Sequence, residues 1–94
     1  MTQYQITLDS PMGERRGALT LRESPREDIS GTLSLLGFDN PVEGLREGRQ
    51  LRLRHPLRTL VSRLDCETVL HTEADALRGT VRVGPTCMDI QGAV

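Results

Sequence analysis

The sequence contains no tryptophan and no lysine, and its only aromatic residues are Tyr4 and Phe38. Small β domains that bind nucleic acid usually place aromatic side chains beside a basic groove, because bases stack on those rings. Acidic and basic residues nearly balance, giving a formal net charge of −1, so no broad field attracts nucleic acid or an anionic membrane. We therefore expect neither a nucleic-acid partner nor a membrane partner.

Long hydrophobic runs are also absent, and no stretch approaches the length that a bilayer requires. The opening residues contain no basic segment followed by an apolar one, so a secretory signal is not expected. Cys66 and Cys87 lack the spacing of a disulfide framework or a zinc site. These features predict a cytoplasmic protein with free thiols, no metal and no cofactor.

A short strand pattern recurs at residues 17–21, 31–35 and 79–83, where a glycine and a small residue precede alternating apolar and polar residues. An alternation of period two is typical of a strand with one buried face. The length of 94 residues allows one domain, residues 1–94. Together with regularly spaced turn signals, the pattern predicts an all-β fold, an antiparallel up-and-down meander of about eight strands closing into a small barrel. A β-sandwich is the alternative.

The predicted core is a set of aliphatic residues on the inward face of these strands: Leu19, Leu21, Leu33, Leu35, Leu51, Leu53, Val81 and Val83. Turns are predicted at residues 38–41 and at Glu47-Gly48, where glycine supplies a positive φ. Gly31, Gly44 and Gly79 are interpreted as sites of close packing between strands.

The segment from Pro56 to Ala76 is ambiguous. Leu57, Leu60, Val61 and Leu64 have helical spacing, so one short helix near 56–66 is an alternative. The β-branched residues favour strands, in which a mainly apolar set faces the core and a charged set faces outward. The apolar set is Leu60, Ser62, Leu64, Cys66, Thr68 and Leu70, and the charged set is Val61, Arg63, Asp65, Val69, His71 and Glu73.

The order of the glycines and turns resembles that of small bacterial calycin-like, or lipocalin-like, β-barrel domains of unknown function. The similarity lies in residues 31–33, 43–48, 76–81 and 90–92. It implies an up-and-down barrel and identifies no functional residue. The chain is shorter than a true lipocalin and has no tryptophan, which argues against a large ligand cavity.

No catalytic motif is present, and we do not expect an enzyme. Arg52 and Arg54 share one strand face and form either an anion site or a solvated surface paired with Glu43 and Glu67. If a bulge near Asp65 turned Arg63 and His71 inward, they would bind an anionic ligand.

Two functions remain open from the sequence. The first is a non-catalytic module that binds a small apolar or amphipathic ligand. The second is a structural or protein-interaction domain with a filled core, which self-associates as a homodimer. Leu36 and Phe38 are the predicted interface residues, because residues 35–38 break the alternation. Alternatively, Phe38 does not form an interface, and its ring folds over the barrel mouth and closes it.

Overall fold

The computed structural model describes residues 1–11, 13–23, 26 and 28–94. Within these residues there are eight strands and no helix: β1 (Thr2–Ser10), β2 (Gly13–Glu23), β3 (Asp28–Leu35), β4 (Phe38–Glu47), β5 (Gln50–Arg58), β6 (Arg63–Glu73), β7 (Ala76–Val83) and β8 (Thr86–Ala93). The all-β prediction is confirmed, and the alternative of a short helix near 56–66 is wrong. No described segment forms a helix long and apolar enough to cross a membrane.

Each strand pairs antiparallel with the next one in sequence, and β1 pairs with β8, so the sheet closes into a barrel. The closing ladder runs from Gln5↔Ala93 to Asp9↔Asp89. Closure leaves neither β1 nor β8 as a free edge. The predicted meander is therefore correct, and the sandwich alternative is wrong.

The core lies inside the barrel, on the alternate residues that point inward. Of the eight predicted core residues, seven are buried and Val83 is half-buried and packed against them. Residues from every strand contribute, including Ile6 on β1 and Ile90 on β8. The period-two pattern predicted this face correctly because one side of each strand is solvated.

The inward-facing glycines allow neighbouring strands to approach closely. A Cβ on Gly44 would lie 1.9 Å from the carbonyl oxygen of Arg52, and one on Gly79 would lie 1.8 Å from that of Val69. A Cβ on Gly31 would lie 1.9 Å from the carbonyl oxygen of Thr20. The packing interpretation of these glycines is confirmed, since the main chain of the neighbouring strand leaves room for a hydrogen but not for a Cβ.

Two predicted turns differ from the structure. Residues 38–41 lie in β4, and the chain reverses instead at Leu36 and Gly37, which have φ of 57° and 83°. Sequence reasoning favoured the Asp-Asn-Pro segment because a leucine rarely adopts the left-handed conformation. The predicted hairpin at Glu47-Gly48 is displaced by one residue, to Gly48 and Arg49, with Gly48 at φ 63°.

Candidate functional site

The barrel interior is filled by side chains. Ile6, Leu51, Leu70 and Val81 are almost completely buried. An eight-stranded barrel has an interior that side chains just fill, and aliphatic residues on every strand do so here. The surfaces open to a ligand are therefore the two ends of the barrel and its outer wall.

Strand β6 is continuous, and its pairing with β5 runs without a bulge from Gln50↔His71 to Arg58↔Arg63. Cys66, Thr68 and Leu70 face the core as predicted. Arg63 and His71 are exposed and lie eight residues apart on β6, which separates them by about 26 Å in a strand. The structure thus does not bring these two residues together, and neither faces inward.

Part of the predicted apolar set on this segment does not face the core. Leu60 and Ser62 lie in the connection between β5 and β6, where Leu60 is 92% exposed. Leu64 lies at an inward-facing position of β6, but it remains 37% exposed. The alternation continued through the loop in the sequence, and it therefore gave no sign that the strand had ended.

Arg52 and Arg54 lie on the outer wall among acidic neighbours. Arg54 is opposite Glu43 on β4 and opposite Glu67 on β6. Glu67 in turn approaches Arg82 on β7, with 3.9 Å between Oε2 and Nη2. This row of alternating charges is the arrangement of a solvated sheet face, in which cross-strand pairs of opposite sign are favourable.

The ladder between β4 and β5 stops at Glu43↔Arg54, which leaves a seam towards the ends of the two strands. Continuing the register by two residues would place Pro41 opposite Pro56, and two prolines cannot exchange main-chain hydrogen bonds. The Asn40 side chain bridges the seam instead. Its Oδ1 accepts from the Arg58 amide at 3.0 Å, and its Nδ2 donates to the Leu33 carbonyl at 3.1 Å.

Next to the seam, His55 is buried inside the barrel with Cys66 and Thr68. His55 Nδ1 lies 3.0 Å from the Pro56 carbonyl, which can only accept, so Nδ1 carries the proton. Nε2 then accepts from the Thr68 hydroxyl at 2.6 Å. Burial lowers the pKa of His55, against a smaller opposing effect of the Pro56 carbonyl.

Cys66 is opposite His55 on the neighbouring strand. Burial, with a smaller contribution from the Asp65 carboxylate, raises the pKa of the Cys66 thiol to about 11. A reactive cysteine needs a lowered pKa and a charged partner. A neutral thiol beside a neutral imidazole is therefore a packing arrangement rather than a nucleophile with its base.

The two ends of the barrel differ in charge. At one end, the connections between β1 and β2, β3 and β4, β5 and β6, and β7 and β8 contain no charged residue; we call this the uncharged end. At the other, the polar end, the described residues of the connections include the charged side chains of Arg26, Arg49 and Asp75. An inward-facing arginine also crosses the polar end, where Arg46 Nε donates to Glu23 Oε1 at 2.7 Å.

The mouth at the uncharged end is apolar and incompletely covered. Its inward-facing rim consists of Phe38, Val83 and Met88, which are half-buried, and Leu64, which is 37% exposed. Leu36 lies in the adjacent turn. Four of the seven exposed large apolar residues in the described part of the chain lie at this end: Leu36, Leu60, Val61 and Leu64. Sequence reasoning proposed Leu36 and Phe38 here and missed the others, although Leu60-Val61 between two small polar residues was a detectable loop signal.

The fold and these features define a small closed antiparallel barrel with a filled interior and one apolar mouth. No protein-family model and no curated protein sequence matches the chain. Among solved structures, it is similar to a redesigned beta barrel, mFAP1, bound to DFHBI, with a TM-score of 0.76. That similarity covers 98% of this chain and 92% of the other at 8% identity, and it shows the fold alone.

Proposed function

We propose that this protein is a non-catalytic binding module that takes a small apolar or amphipathic ligand at the mouth of its uncharged end. The observation that carries the proposal is the difference between the two ends. Arg46 and Glu23 cross the polar end, whereas Phe38, Leu64, Val83 and Met88 leave an apolar rim at the other. Exposed apolar surface concentrated in one place is typical of a binding site.

Three further points support this function. The filled interior leaves the mouth as the apolar surface that a ligand can reach. Arg63 begins β6 beside that mouth and is exposed, so an anionic head group would find a cation there. The similar barrel mFAP1 is bound to the small molecule DFHBI, in agreement with a ligand-binding role for a calycin-like barrel of this size.

A titration with laurate below its micelle concentration, followed by amide NMR, tests the proposal. We expect shifts at Leu36, Phe38 and Leu64 and none at Leu45, which is 51% exposed on the outer wall. The variant Leu64→Ser should weaken binding about tenfold, because burial of a leucine side chain contributes about 1.5–3 kcal/mol and the serine loses that contribution. Leu45→Ser is the matched control, and equal losses in both variants would contradict a site at the mouth.

Self-association through the same mouth is the second candidate function, because Leu36 is exposed in a tight turn beside Phe38. If a second copy covers the mouth, the sedimentation coefficient rises with protein concentration and Phe38→Ser abolishes that rise. A monomer at all concentrations that still binds laurate leaves ligand binding as the function.

A further inference from the structure

The connection between β5 and β6 projects an apolar tip from the uncharged end. Leu60 is 92% exposed and Val61 is 93% exposed. Adjacent aliphatic residues with almost no protein contact lie on a convex protrusion, which cannot enclose a small molecule. The tip is therefore a different surface from the mouth, whose rim residues are partly buried.

The amides of Thr59, Val61 and Ser62 are hydrogen bonded within the loop. The Thr59 amide donates to the Ser62 carbonyl at 2.8 Å. Thr59 Oγ1 accepts from the Val61 amide at 3.3 Å and from the Ser62 amide at 3.0 Å. Transfer to an environment poor in water costs free energy for each unpaired main-chain group. Pairing these amides within the loop lowers that cost.

Two arginines flank the base of the tip. Arg58 and Arg63 are directly opposite each other in the register of β5 and β6. Both are exposed, and neither belongs to an ion pair within the described residues. The nearest acidic residue along the chain is Asp65, while Asp39 across the seam accepts from the Ser34 hydroxyl at 2.6 Å.

Beyond the ligand at the mouth, we propose that the protein binds an anionic phospholipid bilayer through the tip, with Leu60 and Val61 inserted at the membrane interface. Arg58 and Arg63 then lie at the level of the lipid phosphates. Apolar residues at the tip with cations behind them are the pattern of interfacial membrane binding. A second copy is a poorer occupant, because a symmetric contact of two tips would bring four arginines together.

The net charge of the chain did not predict this partner, because it averages over the whole surface. The relevant cations are local, and a membrane surface acts only within about one Debye length, roughly 8–10 Å. One loop binds weakly, since even a myristoyl chain gives only marginal attachment. The expected binding is therefore reversible and falls with added salt.

Cosedimentation of the full chain with lipid vesicles tests the inference. We expect binding to phosphatidylcholine vesicles that contain phosphatidylglycerol and little binding to phosphatidylcholine alone. The double variants Leu60→Ser with Val61→Ser and Arg58→Gln with Arg63→Gln should each lose about tenfold or more, since each arginine near a charged surface contributes about a factor of five. Leu45→Ser and the pair Arg49→Gln with Arg78→Gln, which lie away from the tip, should bind normally.

A tryptophan reporter gives a second readout, because the chain has no tryptophan of its own. Emission from the variant Val61→Trp should shift to shorter wavelength with anionic vesicles and be quenched by brominated lipid, whereas Leu45→Trp should not respond. Laurate binding at the mouth without vesicle binding would overturn the inference and leave the proposed function intact. If neither laurate nor vesicles bind, both are wrong.

Discussion

Individual polar residues inside the barrel were the hardest features to predict. Asn40 and Thr68 are buried, as is His55. Each is acceptable there because it is hydrogen bonded: Asn40 across the seam, and His55 with Thr68. The alternation placed Thr68 inward, but the sequence analysis assigned Asn40 to a turn and gave no sign of the hydrogen-bond partners, which come from the neighbouring strands.

The burial of His55 predicts a dependence of stability on pH. Burial lowers the pKa of His55 below 6.5 in the folded state, so below that pH the unfolded chain binds the proton first. The free energy of unfolding therefore falls between pH 6.5 and the lower pKa of the folded state. The slope of this fall is at most about 1.4 kcal/mol per pH unit.

Urea unfolding at a series of pH values measures this effect. His55→Gln should reduce the slope, because the replacement does not titrate. If the slope of His55→Gln equals that of the unchanged protein, the buried imidazole does not control the pH dependence.

At the scale of elements, the strands were predictable and some of their ends were not. Alternation with β-branched residues identified the strands and their buried faces. The loop after β5 was missed because Leu60, Ser62 and Leu64 continue the same alternation. The turn before β4 was missed because Leu36 occupies a left-handed conformation at φ 57° that the sequence does not signal.

The glycines of the strands give a prediction at this scale. In Gly44→Ala the new Cβ would lie 1.9 Å from the Arg52 carbonyl oxygen and 2.9 Å from the Leu53 Cα. Main chain cannot rotate away as a side chain can, so we expect β4 and β5 to separate locally. Overpacked sites usually lower the free energy of unfolding by about 1–3 kcal/mol, and we expect Gly44→Ala to lie at the upper end of this range or above it.

Thermal and urea unfolding of Gly44→Ala should be compared with those of Gly48→Asn. Gly48 has a φ of 63° and open space around its Cβ position, and asparagine tolerates that conformation. Gly48→Asn should therefore change stability by less than about 1 kcal/mol. Equal destabilisation by the two variants would mean that strand approach is not what requires glycine at position 44.

At the scale of the whole molecule, the important property is the difference between the two ends of the barrel. In an up-and-down meander the odd-numbered connections share one end, so the uncharged end follows from the sequence once the topology is known. Composition alone hides it, because the charges that are absent from these loops lie on the strands and at the polar end. The sequence placed Leu36 and Phe38 at an interface between two copies and Arg63 in an inward-facing anion site, so it did not predict a ligand site at the mouth.

Closure of the barrel predicts that the chain ends can be moved. Gln5 is opposite Ala93 in the register, so Met1 and Val94 lie near each other at the polar end. About five Gly and Ser residues span up to roughly 17 Å, which is enough to join them. New ends between Ala74 and Asp75 keep every strand pair and release Ala74 from a φ of 53°, a conformation that costs about 1–2 kcal/mol for an L residue.

This circular permutant should fold into the same barrel, with the amide NMR pattern of the unchanged chain away from the new ends and the linker. The contrasting chain is a truncation to residues 1–85, which lacks β8 and so leaves β1 and β7 as open edges. We expect the truncated chain to lose cooperative unfolding, because an open sheet exposes both unpaired main chain and the core. A folded truncation together with an unfolded permutant would show that the pairing of β1 with β8 contributes little, since only the permutant retains that pairing.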